Sequence, residues 1–285
     1  MQQIFKIAII SLLLAGLALG QAGTQSVTPP MPPDHKAPAP VQQAPDDPGS
    51  AKARHLIDQM IEALGGNAYM SCSDMEQSGR TYGFFHGEPS GTGTVFWRMW
   101  KWPDKDRVEL TKQRDWIIIH NGEQGNEVTF RGRSPEEKPA LEDFLRRRYY
   151  SLEVVLRIWL TQPGVAFFYE GQASANRKPA EQVSIMNAKN EALTIYIDQG
   201  THLPIKKSFT WRDPETRERV EESEVYDNYK PFQGIMTPLS VTRQKNGDNT
   251  NQRFITTVTY NQGLPDSMFD AASIAKPATT GGKKK

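Results

Sequence analysis

The chain has 285 residues, and its 34 lysines and arginines nearly balance its 33 aspartates and glutamates, for a formal net charge of +1. This balance excludes the overall basic field that draws proteins to nucleic acid. The single cysteine, Cys72, excludes an internal disulfide, so we predict a buried free thiol, with an intermolecular link as the alternative.

The first 22 residues have the order of an export signal. Lys6 supplies a positive charge, an uncharged apolar run extends from Ile7 to Leu19, and small residues occur between Ala18 and Ala22. This order predicts a secretory signal peptide over residues 1–22, and hence export. The run is shorter than the ~20 residues of a membrane-spanning helix, so an uncleaved anchor is the weaker alternative. No later run has that length, and we expect the mature protein to be soluble.

Two stretches have too few large apolar residues to offset the entropy of ordering. Residues 23–50 are rich in Pro, Gln, Ala and Asp, which predicts a disordered Pro-rich tether. Residues 271–285 end in three lysines and predict a disordered basic tail, with weak attraction to an anionic membrane as the minor alternative. The folded domain is therefore predicted over residues 51–270.

That domain opens with a helix. Leu56, Ile57, Met60 and Leu64 recur at steps of three and four residues, which predicts a helix over Ala51–Leu64 with one apolar face. We expect Ser50 to cap the helix start and Gly65-Gly66 to end it.

Short strands and one helical insert follow. Asn121-Gly122 is typical of a hairpin turn, because both residues tolerate positive φ. The segment Pro139–Leu160 changes to a helical period, as one helix or as two helices meeting near Ser151. The predicted strands are Asp74–Phe85, Thr92–Trp100, Arg107–Thr111, Asp115–His120, Glu127–Arg131, Val165–Gln172, Glu181–Met186, Ala192–Asp198, Leu203–Arg212, Glu218–Tyr229, Ile235–Gln244 and Gln252–Tyr260.

The strand spacing predicts antiparallel pairing, because parallel pairs would need crossover helices that the pattern lacks. The fold class is therefore α+β, mainly β: one long, curved antiparallel sheet covered by the N-terminal helix and the central helical insert. A sheet of this length curls, and any part of its apolar face that the helices leave open becomes a trough.

Motifs for catalysis are absent from the sequence. It contains no Gly-x-Ser-x-Gly and no His-Glu-x-x-His, and its five histidines do not pair at metal-ligand spacing. We therefore predict no catalytic residues, no metal and no cofactor, and an enzyme acting on lipid or sugar is the minor alternative.

Several predicted strands are apolar on both faces, which indicates that both faces are covered. The clearest cases lie around Phe96 to Trp102, Trp116 to Ile119, and Phe167 to Tyr169. Plain core filling and a ligand trough both explain them. Arg146 and Arg147, in the helical insert, lie either on a solvated helix face or beside the head groups of a lipid or lipoprotein.

Several short motifs share an order and spacing with a known family: Leu64-Gly65-Gly66, Trp102 to Glu109, Asn121-Gly122-Glu123, Ile197 to Pro204, Tyr226 to Tyr229, Gly234 to Pro238 and Phe269. Together they resemble the outer-membrane lipoprotein-sorting family, the LolA/LolB-like periplasmic lipoprotein carriers. Trp102 departs from that pattern, because the best-known carriers often have an arginine there that holds a helical lid shut.

The resemblance implies an incomplete β-barrel that carries acyl chains in an apolar cavity in the periplasm, without enzymatic activity. The implied partners are lipoprotein acyl chains or other lipid and a membrane-bound donor or acceptor protein, but no nucleic acid. A non-transporting sensor or interaction module of the same fold is the alternative. Arg146 and Arg147 would contact head groups, and the expected acyl-cavity residues are Phe96, Trp100, Trp102, Ile117, Ile119, Leu152, Leu156, Phe167 and Tyr169.

Overall fold

A computed structural model describes residues 47–274 of the chain. The predicted signal peptide, most of the predicted tether and residues 275–285 of the predicted tail lie outside the described residues. Within residues 47–274, every helix is too short or too polar to span a bilayer. Cys72 is a buried free thiol, as predicted, and its burial raises the pKa of the thiol.

The first helix, α1, spans Pro48–Leu64 and begins three residues earlier than predicted. Its cap is Asp47, whose carboxylate accepts a hydrogen bond from the Ser50 backbone N–H at 2.9 Å, so the predicted Ser50 cap is wrong. Pro48 fits the first turn, where its missing N–H has no intrahelical partner to lose. The helix ends at Gly65, where φ is 126° and a Cβ would lie 2.3 Å from the carbonyl oxygen of Gly234.

Fourteen strands follow, and every strand pair is antiparallel. Short β2 pairs with β1 alone, and the order of the other strands across the sheet is β7-β6-β5-β4-β3-β1-β14-β13-β12-β11-β10-β9-β8. The strands are β1 Asp74–Phe85, β2 Glu88–Pro89, β3 Thr94–Lys101, β4 Lys105–Leu110, β5 Trp116–Asn121, β6 Gln124–Thr129, β7 Gly132–Pro135, β8 Ala166–Ala175, β9 Lys178–Met186, β10 Ala192–Asp198, β11 Pro204–Arg212, β12 Arg219–Phe232, β13 Ile235–Lys245 and β14 Asp248–Tyr260.

The chain crosses the sheet once. It runs outward from β1 to the edge strand β7, passes through the helical insert to the opposite edge strand β8, and returns to β14 beside β1. The edge strands β7 and β8 do not pair with each other, so the sheet remains open. The predicted fold class, a mainly β incomplete barrel covered by an N-terminal helix and a helical insert, is confirmed.

The insert consists of two helices, α3 at Lys138–Tyr149 and α4 at Leu152–Arg157, which together we call the lid. They meet at Ser151, whose hydroxyl accepts a hydrogen bond from the Val154 N–H at 3.2 Å. The two-helix alternative is therefore correct. Three shorter helical segments complete the fold: α2 at Asn67–Met70 and 3-10 turns at Trp159–Thr161 and Asp266–Phe269.

Side chains alternate between two sheet faces, as the pleat requires. The inner face carries Phe96 and Trp100 and packs against α1, α2 and the lid in the main core. The outer face carries Met99 and packs against the 3-10 turn that contains Phe269 in a second, smaller core.

Candidate functional site

A cavity of about 200 Å³ lies between the inner face and the helices. Tyr69 of α2, Phe144 of α3 and Leu152 of α4 form most of its helical wall, and strands β1, β3, β4, β11, β12, β13 and β14 form the sheet side. Apolar and aromatic side chains cover much of this surface. The sheet contributes Met75, Trp100, Tyr226, Val241, Ile255 and Tyr260.

The cavity is amphipathic, whereas the sequence predicts an apolar one. Eight lysine or arginine side chains line it, but only four aspartate or glutamate side chains do. These charges face inward because side chains two residues apart in a strand lie on the same face. Arg98 lies between inner-facing Phe96 and Trp100, and Arg253 lies two residues before inner-facing Ile255.

Glu224 is the best-satisfied charge in this wall. Its carboxylate lies 3.3 Å from Lys207 Nζ and 3.1 Å from Arg243 Nε, and it accepts a hydrogen bond from the Tyr226 hydroxyl at 2.9 Å. Burial alone would raise the pKa of this carboxyl, but Lys207 and Arg243 hold the pKa well below its usual range. Glu224 is therefore ionised, and Lys207 and Arg243 share its single negative charge.

Arg98 and Asp106 form a second pair, with Nε and a terminal nitrogen of Arg98 2.8 and 2.6 Å from Asp106 Oδ2. Burial opposes the charge on Arg98, but Asp106 outweighs it and raises the pKa of the guanidinium. The other carboxylate oxygen, Oδ1, has no hydrogen-bond partner within residues 47–274.

Two arginines of the wall are incompletely paired. Arg147 forms an ion pair with Asp143, but its buried Nε has no partner within residues 47–274. Burial and the neighbouring charge of Arg243 lower the pKa of Arg147 to about 10. Arg253 also has a buried, unpartnered Nε, and burial, Arg243 and Arg98 lower its pKa to about 9.

The lid is held over the cavity by cations that donate to backbone carbonyl oxygens. Arg148 of α3 donates to Asp104 O at 3.1 Å and to Gly122 O at 2.6 Å. Arg157 of α4 donates to Tyr69 O and, at 2.7 Å, to Cys72 O. From the sheet side, Lys207 Nζ donates to Tyr150 O between the two lid helices at 2.8 Å.

Trp102, where the family pattern often has an arginine, also contacts the lid. The guanidinium of Arg157 lies 4.8 Å from the centre of the Trp102 ring, within the range of a cation–π contact. In this contact the lid therefore supplies the cation, and the segment after β3 supplies the aromatic ring.

The structure brings only part of the predicted site to the cavity. Trp100, Leu152 and Arg147 line it. Phe96, Leu156 and Phe167 are buried in the main core without lining the cavity. Tyr169 packs at the edge of this core, where Lys52 Nζ lies 3.7 Å from its ring centre.

Ile117 and Ile119 lie on the wrong face for the predicted cavity. They pair with Glu109 and Arg107 of β4, and both belong to the outer core. Because all four residues from Trp116 to Ile119 are apolar, the sequence does not show which of them face inward. The register with β4 determines the face on which each one lies.

Arg146 is held away from the cavity. It donates to Glu222 at 2.9 Å and to Asp143 at 2.5 Å, and its guanidinium lies 3.6 Å from the centre of the Trp211 ring. These contacts fix α3 on the sheet and leave Arg147 as the predicted head-group residue that lines the cavity.

No group of three or more His, Cys, Asp or Glu side chains in residues 47–274 is placed to hold a metal ion. The alternation of side chains along each strand could have identified charged residues that the prediction missed. The missed cations of β3, β11, β13 and β14 each lie two residues from a buried apolar residue on the same face. These four are Arg98, Lys207, Arg243 and Arg253, and the missed acid between them is Glu224.

Solved structures share this fold. A DUF1329 family protein from Desulfovibrio piger has a TM-score of 0.54 at 10% identity, with 78% of this chain and 99% of that protein covered. A putative outer membrane lipoprotein-sorting protein domain from Vibrio parahaemolyticus has a TM-score of 0.48 at 9% identity, covering 78% and 98%. A LolA superfamily protein from Nitrosomonas europaea has a TM-score of 0.47 at 12% identity, covering 76% and 97%.

No protein-family model and no curated protein matches the chain. At 10% identity the likeness to the D. piger protein is one of fold. It agrees with the open, helix-covered sheet that the sequence resemblance implies.

Proposed function

We propose that this chain is an exported, non-enzymatic periplasmic protein that carries or chaperones the acyl chains of a lipid or lipoprotein. The observation that supports this proposal is the cavity between an open sheet and a helical lid, with Trp100 and Leu152 on opposite walls. An acyl chain would lie between these two side chains. Phe96, Leu156 and Phe167 would support the wall from the core behind it.

The lid has to move for this function. A cavity of about 200 Å³ is smaller than the ~300–1,000 Å³ of ordinary ligand pockets, so a whole acyl chain needs more room. Burying ten methylenes contributes about 8 kcal/mol. Releasing the two hydrogen bonds by which Arg148 holds α3 costs about 3–6 kcal/mol, since each is charge-assisted. Chain burial can therefore offset a partial opening of the lid.

Native mass spectrometry of the full chain, recovered from the periplasm of a Gram-negative host, tests the proposal. We expect a lipid mass bound to the protein and micromolar uptake of a fluorescent fatty acid. Met236→Trp should weaken uptake at least about tenfold, because Met236 lines the cavity and the larger ring occupies its space.

Met268→Trp is the matched control. Met268 is also partly buried, but it packs in the outer core and does not line the cavity. Its variant should take up the probe like the parent chain. Bare protein together with no uptake would contradict the proposal and leave a sensor or interaction module of the same fold.

A further inference from the structure

The arginines of the cavity converge from three directions. Arg243 and Arg253 lie on neighbouring strands β13 and β14, where Arg253 faces Val241 and is therefore diagonal to Arg243. Arg98 enters from β3 on the other side of the sheet centre, and Arg147 enters from the lid. Arg147 and Arg243 also line a second cavity of about 300 Å³ that shares this wall.

The acids of the cavity do not satisfy this cluster. Glu224 is engaged by Lys207, Arg243 and Tyr226, and Asp106 is engaged by Arg98. The remaining two acids are Asp104 and Glu153, and neither forms an ion pair with an arginine of the cluster.

Arg253 is the clearest unsatisfied group. Within residues 47–274 its side chain makes no hydrogen bond and no ion pair, and its Nε is buried. Arg253 is half-buried, and burying part of a guanidinium without a partner is unfavourable for the stability of the chain. A planar fork of donors is the group that best binds a carboxylate or phosphate.

We propose that Arg253 and Arg147 hold the anionic group, a carboxylate or a phosphate, of the amphiphile bound in this cavity. The inference deepens the proposed function and rests on it. Ile255 follows Arg253 by two residues on the same face and also lines the cavity. The anionic end would therefore lie against the arginines, and the chain would extend along Ile255 towards Tyr260 and Leu152.

The lowered pKa values of Arg147 and Arg253 fit this arrangement. Burial and neighbouring positive charge disfavour both guanidinium ions. A bound anion would supply an opposite charge to Arg253, which has no ion pair, and a second one to Arg147 beside Asp143.

Isothermal titration of the full chain with oleate, oleyl alcohol and inorganic phosphate tests the inference. The parent chain should bind oleate at least about tenfold more tightly than the alcohol, and phosphate only weakly. Arg253→Met should lose at least about tenfold in oleate affinity and nothing in affinity for the alcohol. Its melting temperature should stay the same or rise, because an unpartnered charge is removed. A merely structural arginine would lower the melting temperature instead.

Arg219→Met is the control, because Arg219 is an exposed arginine of β12 outside the cavity. It should leave all three affinities unchanged. Arg147→Met serves as a second variant if Arg253→Met does not fold, and the same selective loss is expected.

Equal binding of oleate and oleyl alcohol, unchanged in the variants, would overturn the anion site and leave the lipid-binding function intact. No binding of either lipid would overturn the proposed function. Phosphate binding that is as tight as oleate binding would overturn the inference that the ligand is an amphiphile, and would indicate a free anion instead. Weak phosphate binding that competes with oleate would support the inference.

Discussion

His120 lies on β5 where the sheet meets the lid, and its surroundings oppose the charged form of the imidazole. Its Nε2 is 2.7 Å from a carboxylate oxygen of Glu136, and its ring stacks on Phe144 of α3 with centroids 3.4 Å apart. Burial lowers the pKa of His120, although Asp106 and Glu136 act in the opposite direction and Arg148 adds to the lowering. The folded chain therefore holds His120 neutral at a pH where an unfolded chain binds a proton.

The free energy of unfolding should consequently fall as the pH drops below about 6.5, the ordinary pKa of histidine. The contribution is present in full above that pH and is lost as the pH falls towards the folded-state pKa. His120→Gln should remove this part of the slope, which cannot exceed about 1.4 kcal/mol per pH unit for one group. Urea unfolding at pH 7.5 and 5.5 measures it, and His86→Gln, at an exposed histidine, is the control. Equal slopes in the parent chain and His120→Gln would refute the assignment.

For single residues of the cavity, the sequence predicts the sheet face only where the alternation of side chains along a strand is unambiguous. Trp100 and Phe96 share a face in any strand, so the sequence places them together correctly. Ile117 and Ile119 could not be assigned, because their face depends on pairing with β4. Arg253 could have been placed beside Ile255 by the same alternation. The lack of a partner for its guanidinium depends on the packing of distant strands, and no strand pattern could predict it.

At the scale of elements, the two lid helices differ in how they are held. α4 buries Leu152, Val155 and Leu156, whereas α3 contains no buried residue. α3 is attached mainly by polar contacts, among them the two hydrogen bonds from Arg148 to backbone carbonyls. Segments with few buried apolar contacts open at low free-energy cost. We therefore expect α3 to be the part of the lid that opens first.

Arg148→Met should loosen α3 without altering its helical period. Losing two charge-assisted hydrogen bonds of about 1.5–3 kcal/mol each should speed amide exchange in α3 by at least roughly 100-fold. Exchange in α4 should change less, and fatty-acid uptake should become faster. Hydrogen–deuterium exchange and stopped-flow fluorescence measure these effects.

Arg212→Met is the matched control, since Arg212 also donates to a backbone carbonyl, that of Arg217, but on an exposed hairpin. It should leave α3 exchange unchanged. Slower or equal exchange of α3 in Arg148→Met would show that Arg148 does not hold the lid.

Most elements could be predicted because their patterns are local. The bounds of β1 and β10 agree with the prediction, since alternating side chains end at turn residues. The short strand β7 at Gly132–Pro135 was missed because it has no apolar alternation and exists through pairing with β6. The hairpin at Asn121-Gly122 shifted by one residue: Asn121 pairs with Gln124, and only Gly122 takes positive φ, at 60°.

At the scale of the whole molecule, the first and last long strands meet at the centre of the sheet. Met75 pairs with Tyr260 and Gln77 with Val258, which joins the β1–β7 half to the β8–β14 half. Meander spacing predicts neighbours that are consecutive in sequence, but it does not predict a pair separated by most of the domain. Because the main core draws residues from both halves, we expect them to unfold together.

Gly79 of β1 lies beside a bulge in β14, where Ser78 pairs with Thr257 and Gly79 with Ile255, and it allows a close approach at this junction. A Cβ at Gly79 would lie 2.0 Å from Phe254 O, a backbone atom that cannot rotate away. Gly79→Ala should therefore lower the free energy of unfolding by at least about 2 kcal/mol. Gly83→Ala, in the same strand, should change it by less than about 1 kcal/mol, since its nearest neighbour is the Ser90 hydroxyl at 2.9 Å, which can turn aside.

Urea unfolding followed by tryptophan fluorescence and by far-UV circular dichroism tests this junction. Four of the six tryptophans lie in the β1–β7 half, whereas circular dichroism reports both halves. If the β1–β14 pair makes the two halves one cooperative unit, Gly79→Ala should shift both curves to the same lower midpoint. Two separated transitions in the parent chain would contradict this, because each half would then be stable without the other. Coincident curves would mean that the lid and the cavity wall share one folding equilibrium, so ligand binding in the cavity should stabilise both halves equally.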